Sequence, residues 1–167
     1  MHCYRKVTTA AVAGVFALLV VAPQAIAQPK STAPAQSTAP RTTVKTPHRL
    51  VLQVNTNEPA TMNLALNNAA NVVQYYKDLG EEVEIEIVTF GPGLHMLRDD
   101  TSPVKDRIAA MAQRMPAIAF KACGNTQGNM QKAEEKEVRL IPQASVVKSG
   151  VVRLMERQEQ GWTYIRP

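Results

Sequence analysis

The chain has 167 residues, 45% of them hydrophobic and 5% aromatic, and a formal net charge of +5. Five of its 19 basic residues (Arg5, Lys6, Lys30, Arg41 and Lys45) precede residue 47, which leaves 14 basic against 14 acidic residues in 47–167. The excess charge belongs to the amino-terminal segment, and nucleic-acid binding, which needs a basic patch on the folded part, loses its support.

Residues 1–27 read as a secretory signal. Arg5 and Lys6 form a short positive region, Ala10 to Ala22 is uncharged and apolar, and Ala25-Ile26-Ala27 fits the small-x-small rule for cleavage. The apolar run is shorter than the roughly 20 residues of a membrane span, so the mature chain is expected to carry no integral membrane segment. An uncleaved anchor is the rival reading; the expected location is the periplasm, or otherwise outside the cytoplasm. Cleavage near Ala27 removes Cys3 and leaves Cys123 as the sole cysteine. In an oxidising compartment such a thiol is buried and inert, bonded to another chain, or kept for chemistry. Residues 28–46 form a Pro/Ser/Thr/Ala-rich linker in which STAP occurs twice. It lacks the apolar periodicity needed to offset its ordering entropy and is expected to be disordered.

Residues 47–167 suffice for one compact domain. His48 to Val54 is β-branched and apolar, a first strand. The turn residues Asn55 to Glu58 lead into a helix with Pro59 in its first turn and Met62, Leu66, Ala69, Val73 and Tyr76 on one face. Gly80 ends it. Val83, Ile85 and Ile87 alternate with Glu82, Glu84 and Glu86, which predicts a second strand near a sheet edge with one face wet. Phe90-Gly91-Pro92-Gly93 breaks the strand, and Leu94 to Leu97 fits one helical turn. Ser102-Pro103 opens a helix with Val104, Ile108, Met111 and Met115 inward. Ala117 to Ala122 is a third, buried strand, with Cys123 just past its end. Asn125 to Glu137 reads as a polar helix, and Val138 to Val146 contains a fourth strand disturbed by Pro142. Ser149-Gly150 opens a last helix with Val151, Leu154, Met155 and Gln158 on one face, and Trp162 to Ile165 is a final strand. Strands alternating with helices predict a three-layer α/β/α sandwich on a mostly parallel sheet of about five strands. Neither a Rossmann nor a P-loop glycine signature is present.

The stretches FGPGLHML, AIAFKACGNT and SGVVRLMERQEQGWTYIRP resemble the DsrE/DsrF-like family in its exported branch, over essentially all of 48–167. The resemblance implies an α/β/α fold assembled as trimers or hexamers. It also implies sulfur-carrier chemistry, with a persulfide held on the cysteine after the third strand and passed to a thiol partner. Cys123 falls at the matching place. The carriers continue from that cysteine into an apolar helix, whereas here Gly124-Asn125-Thr126-Gln127-Gly128 follows.

In a parallel sheet the segments that follow the strands emerge at one edge, where ligands collect. Asn55, Asn57, Gly93, Gly124, Asn125 and Thr126 are therefore expected on a substrate rim around Cys123. The turn's N–H groups and the amino end of the next helix would lower the thiol's pKa, and the persulfide would form on Cys123 as nucleophile. His95 is read first as an exposed or structurally bonded histidine, and secondly as a group that steadies the thiolate or shuttles a proton. Lys121 suggests an ion pair in an oligomer, and Asn125 and Thr126 suggest helix caps. No metal or cofactor is expected, because the mature chain offers two histidines and one cysteine without ligand spacing, and no CxxCH. The alternative function is a non-catalytic oligomeric binding module with a packed cysteine; a third is a homodimer disulfide-linked through Cys123.

Overall fold

The computed structural model describes residues 46–167. The signal reading and all but the last residue of the expected linker lie outside the described residues. Ten elements follow in order: β1 (His48–Val54), α1 (Pro59–Asp78), β2 (Val83–Thr89), a 3-10 helix (Gly91–Leu97), α2 (Lys105–Arg114), β3 (Ile118–Cys123), α3 (Gly124–Glu134), β4 (Ala144–Val147), α4 (Gly150–Glu159) and β5 (Thr163–Ile165).

All five strands are parallel and lie in the order β4-β3-β2-β1-β5. From β1 to β4 the chain steps three times in one direction, so right-handed crossovers put α1, the 3-10 helix, α2 and α3 on one face. The connection from β4 to β5 runs back across the sheet, and α4 lands on the other face. The two cores follow from the alternation of side chains along each strand. Leu50, Leu52, Val54, Ile85, Ile87, Ile118, Phe120 and Ala122 pack against α1, α2 and the 3-10 helix. Val51 and Val88 instead meet Leu154 and Trp162 in a much smaller cluster. The result is the expected α/β/α sandwich with unequal layers.

One expectation about burial is corrected. β2 lies at the centre of the sheet, not near its edge, and Glu86 is only 4% exposed. Arg153 donates two hydrogen bonds to its carboxylate, at 2.7 and 2.9 Å, and Arg157 a third at 2.6 Å. Burial pushes the Glu86 carboxyl up, but the bonds from Arg157 and Arg153 outweigh it and hold the pKa at about 2. The other half of this contact lies on α4. α4 turns Gly150, Arg153, Leu154 and Arg157 toward the sheet, a spacing of three, four and seven residues. Of the residues read onto one face with Leu154, Val151 and Met155 are 51% and 54% exposed, and Gln158 is exposed too. The helix docks through two arginines and Leu154, while Val151 and Met155 face outward.

Smaller shifts have local causes. α2 begins at Lys105 because Ser102 spends its hydroxyl on the Met96 carbonyl, at 2.6 Å, in a tight turn ahead of the helix. β4 starts only after Pro142, which cannot donate to a ladder; before it, Leu140 makes a single antiparallel bridge to Arg98. Arg98, 1% exposed, is clamped by Asp100 and Glu134, which ties the end of the 3-10 helix to α3.

Candidate functional site at the carboxyl edge of the sheet

The segments that leave β1, β2, β3 and β4 meet at one edge, and backbone contacts fasten them to each other. Gly93 lies so close to the end of β1 that a Cβ there would collide with the Val54 carbonyl and come within 2.8 Å of the Asn55 Cα. Only glycine allows this approach. The Gly91 N–H donates to the Thr126 hydroxyl oxygen at 3.0 Å, joining the turn after β2 to the start of α3. The Asn125 N–H donates to the Lys148 carbonyl at 3.2 Å, joining α3 to the segment after β4.

Cys123 stands at the centre of this edge. It is the last residue of β3 and the N-cap residue of α3, with Gly124 as the first helical residue. Alternation along β3 turns it to the α4 side of the sheet, where it is 4% exposed and free of any disulfide. The amino ends of two helices, α3 and α4, thus converge on one sulfur. Burial pushes the thiol up, but the Thr126 hydroxyl and the N–H groups of Gly150, Thr126 and Asn125 pull it down by more. The net pKa lies below that of an ordinary thiol. These are fixed dipoles aimed at a nascent negative charge, the arrangement that makes a cysteine nucleophilic.

Beside the thiol lies an open cleft of about 550 Å³, walled by Asn125, Val147, Lys148, Ser149, Val152, Arg153 and Glu156. Cys123 is not itself in the wall, but Val147, its ladder partner on β4, and Asn125 at the start of α3 are. Two cations, Lys148 and Arg153, border the cleft against one anion, Glu156.

No family model matches the chain, and no curated protein matches it. Solved structures do match. MTH1491 from Methanobacterium thermoautotrophicum, described as a protein of unknown function, has 29% sequence identity and a TM-score of 0.61, covering 72% of this chain and 99% of its own. The fold is shared.

The other residues read from the sequence as site members are distributed as follows. Asn55 is half-buried at the end of β1, and Asn57 is exposed beyond it. Gly124 and Asn125 open α3, and Thr126 faces both the sulfur and the Gly91 N–H. His95 is bonded through Nδ1 to the Thr101 hydroxyl at 2.8 Å, inside its own loop. Lys121 donates to the Ser145 hydroxyl at 3.0 Å. One contributor escapes the sequence reading. Gly150, whose N–H reaches the sulfur, reads from the sequence only as the start of a helix. The signal for Gly150 existed in Ser149-Gly150, but its place over Cys123 depends on the return crossover, which no local pattern encodes. Among the described residues no cluster of three or more potential metal ligands occurs, and no helix is long and apolar enough to cross a membrane.

Proposed function

We propose that this protein is a sulfur carrier with sulfurtransferase-like chemistry at Cys123. The observation that carries the reading is the convergence of two helix amino ends and the Thr126 hydroxyl on the sole cysteine of the described residues. The Cys123 thiolate attacks a terminal sulfur of a polysulfide anion; a new S–S bond forms, and the shortened polysulfide leaves with the electron pair. The outer sulfur of the resulting persulfide stands about 2 Å beyond Sγ. An acceptor thiolate then attacks that outer atom, and Cys123 leaves as the thiolate it was. Low exposure favours a small donor, and Lys148 beside the cleft favours an anionic one. Without a second cysteine in the mature chain, turnover requires an external thiol partner. The leader supports action in the periplasm or outside the cell after cleavage near Ala27, and the outward apolar stripe of α4 supports self-association, as a trimer or hexamer. MTH1491 has no assigned activity, so the reading rests on the site and on the resemblance carried by the Cys123 segment.

The test is the intact mass of the mature protein before and after polysulfide exposure, beside Cys123→Ser. A reductant-reversible gain of whole sulfur atoms in the wild type alone is expected. The competing reading, an oligomeric binding module with a packed cysteine, is favoured by the 4% exposure of Cys123. It predicts no mass gain and a thiol inert to alkylation.

A further inference from the structure

We infer that the cleft beside Cys123 seats a short peptide thiol, its carboxylate at Lys148 and its ammonium at Glu156, and that this peptide is the acceptor of the sulfur. The inference rests on the carrier reading of Cys123 and names the chemical class of its acceptor. At about 550 Å³ the cleft lies within the range of small-ligand sites, about 300–1,000 Å³. Its walls hold one charge of each sign that the fold leaves uncommitted. Among the described residues the Lys148 ammonium has no ion-pair partner. Glu156, 49% exposed, lies 3.7 Å from Arg153, beyond hydrogen-bond reach. That guanidinium is already taken by Glu86, through bonds of 2.7 and 2.9 Å. Between the two charges the Ser149 hydroxyl makes no cap bond to its own helix, and Val147 and Val152 supply apolar contact.

Spacing selects the occupant. Lys148 stands just ahead of α4, and Glu156 is the seventh residue of that helix. At about 1.5 Å per residue, about 10 Å of helix axis separates Ser149 from Glu156. The ammonium and carboxylate of a single amino acid share one carbon and cannot span that distance. Three extended residues, at about 3.3–3.6 Å each, can. The sulfur stands at the Lys148 end, because Cys123 pairs across the ladder with Val147, the residue before Lys148. The thiol of the occupant therefore belongs near its carboxyl terminus. In the transfer the peptide thiol gives its proton to water, and its sulfur bonds the outer sulfur of the Cys123 persulfide. The bond from that outer atom to Sγ breaks, and its electron pair returns to Cys123. The product is a peptide persulfide.

The experiment compares the tripeptide Gly-Gly-Cys with Cys-Gly-Gly, and with N-acetyl-Gly-Gly-Cys and Gly-Gly-Cys amide, which each lack one charge. Binding is followed by NMR titration of the S-methylated peptides into mature Cys123→Ser, where no sulfur moves. Transfer is followed by the intact mass of wild type already loaded with polysulfide sulfur, each rate divided by that of the same peptide with a small disulfide. Each blocked peptide is expected to bind about fivefold more weakly than Gly-Gly-Cys, the upper worth of an exposed ion pair. Lys148→Met should cancel the penalty of the amide alone, and Glu156→Gln that of the acetyl group alone. Gly-Gly-Cys should unload the sulfur faster than Cys-Gly-Gly. No binding, or blocked peptides that bind as tightly as the free one, overturns the inference and leaves the carrier reading standing on polysulfide loading. Transfer without preference between the two thiol positions overturns the acceptor role. A wild type that takes up no sulfur overturns the carrier reading, and the acceptor role with it.

Discussion

Glu86 and Arg153 face each other across the sheet–helix boundary, 67 positions apart in sequence, with two hydrogen bonds of 2.7 and 2.9 Å between them. With Arg157, whose guanidinium lies 4.4 Å from the Trp162 ring centroid, they fasten α4 to β2. Removing one partner strands buried charge. The carboxyl's pKa is depressed in the fold, so its contribution is fully present above the unfolded value of about 4.5 and is lost as pH falls toward 2. Urea midpoints of the wild type at about pH 7 and about pH 3 should therefore differ more than those of Glu86→Gln. The excess loss should be of the order of 2–3 kcal/mol.

The thiol has a stability signature of its own. The folded pKa of Cys123 is lowered, so its ionisation favours the fold above the unfolded pKa, and that gain is lost as pH falls through the folded value. The wild type should gain stability relative to Cys123→Ser as pH rises from about 6 to about 9. Parallel curves would show that the sulfur titrates alike in the folded and unfolded chains.

Two glycines provide an internal control on packing. Gly93→Ala places a methyl into the Val54 backbone and should cost about 1–3 kcal/mol or more. Gly128, inside α3, has open space around its missing Cβ. Gly128→Ala should stabilise the domain by about 0.5–1 kcal/mol. Thermal melts of the two variants should move in opposite directions.

The outward stripe of α4 gives a test of assembly. Val151→Lys with Met155→Lys replaces two half-exposed apolar side chains on adjacent turns. Light scattering should show the assembled mass of the wild type fall to that of a monomer, with an unchanged melt under dilute conditions. A wild type that is already monomeric at tens of micromolar would remove the assembly proposal.

Local pattern was enough for most elements. The β-branched run at His48 to Val54 and the helical spacing from Met62 to Ala69 are self-contained signals, and both elements form there. The misplacement of β2 has a distant cause. Its glutamates alternate as on a wet edge, and only Arg153 and Arg157, 67 and 71 residues away, make Glu86 a buried residue. The same pair sets the face that α4 turns inward, although apolar residues at helical spacing ordinarily mark the inner face. The cysteine at the end of a buried strand was legible. The second helix aimed at it was not, since that depends on strand order.

The return crossover that carries α4 over the sheet makes the charge on one sulfur and the seating of one helix a single equilibrium. The Gly150 N–H favours the thiolate, so the thiolate in turn favours the seated helix by the same free energy. An alkyl group or a mixed disulfide on Cys123 takes that charge away. The chemical state of the sulfur thereby enters the free energy that seats α4, the helix on whose far side Val151 and Met155 stand exposed.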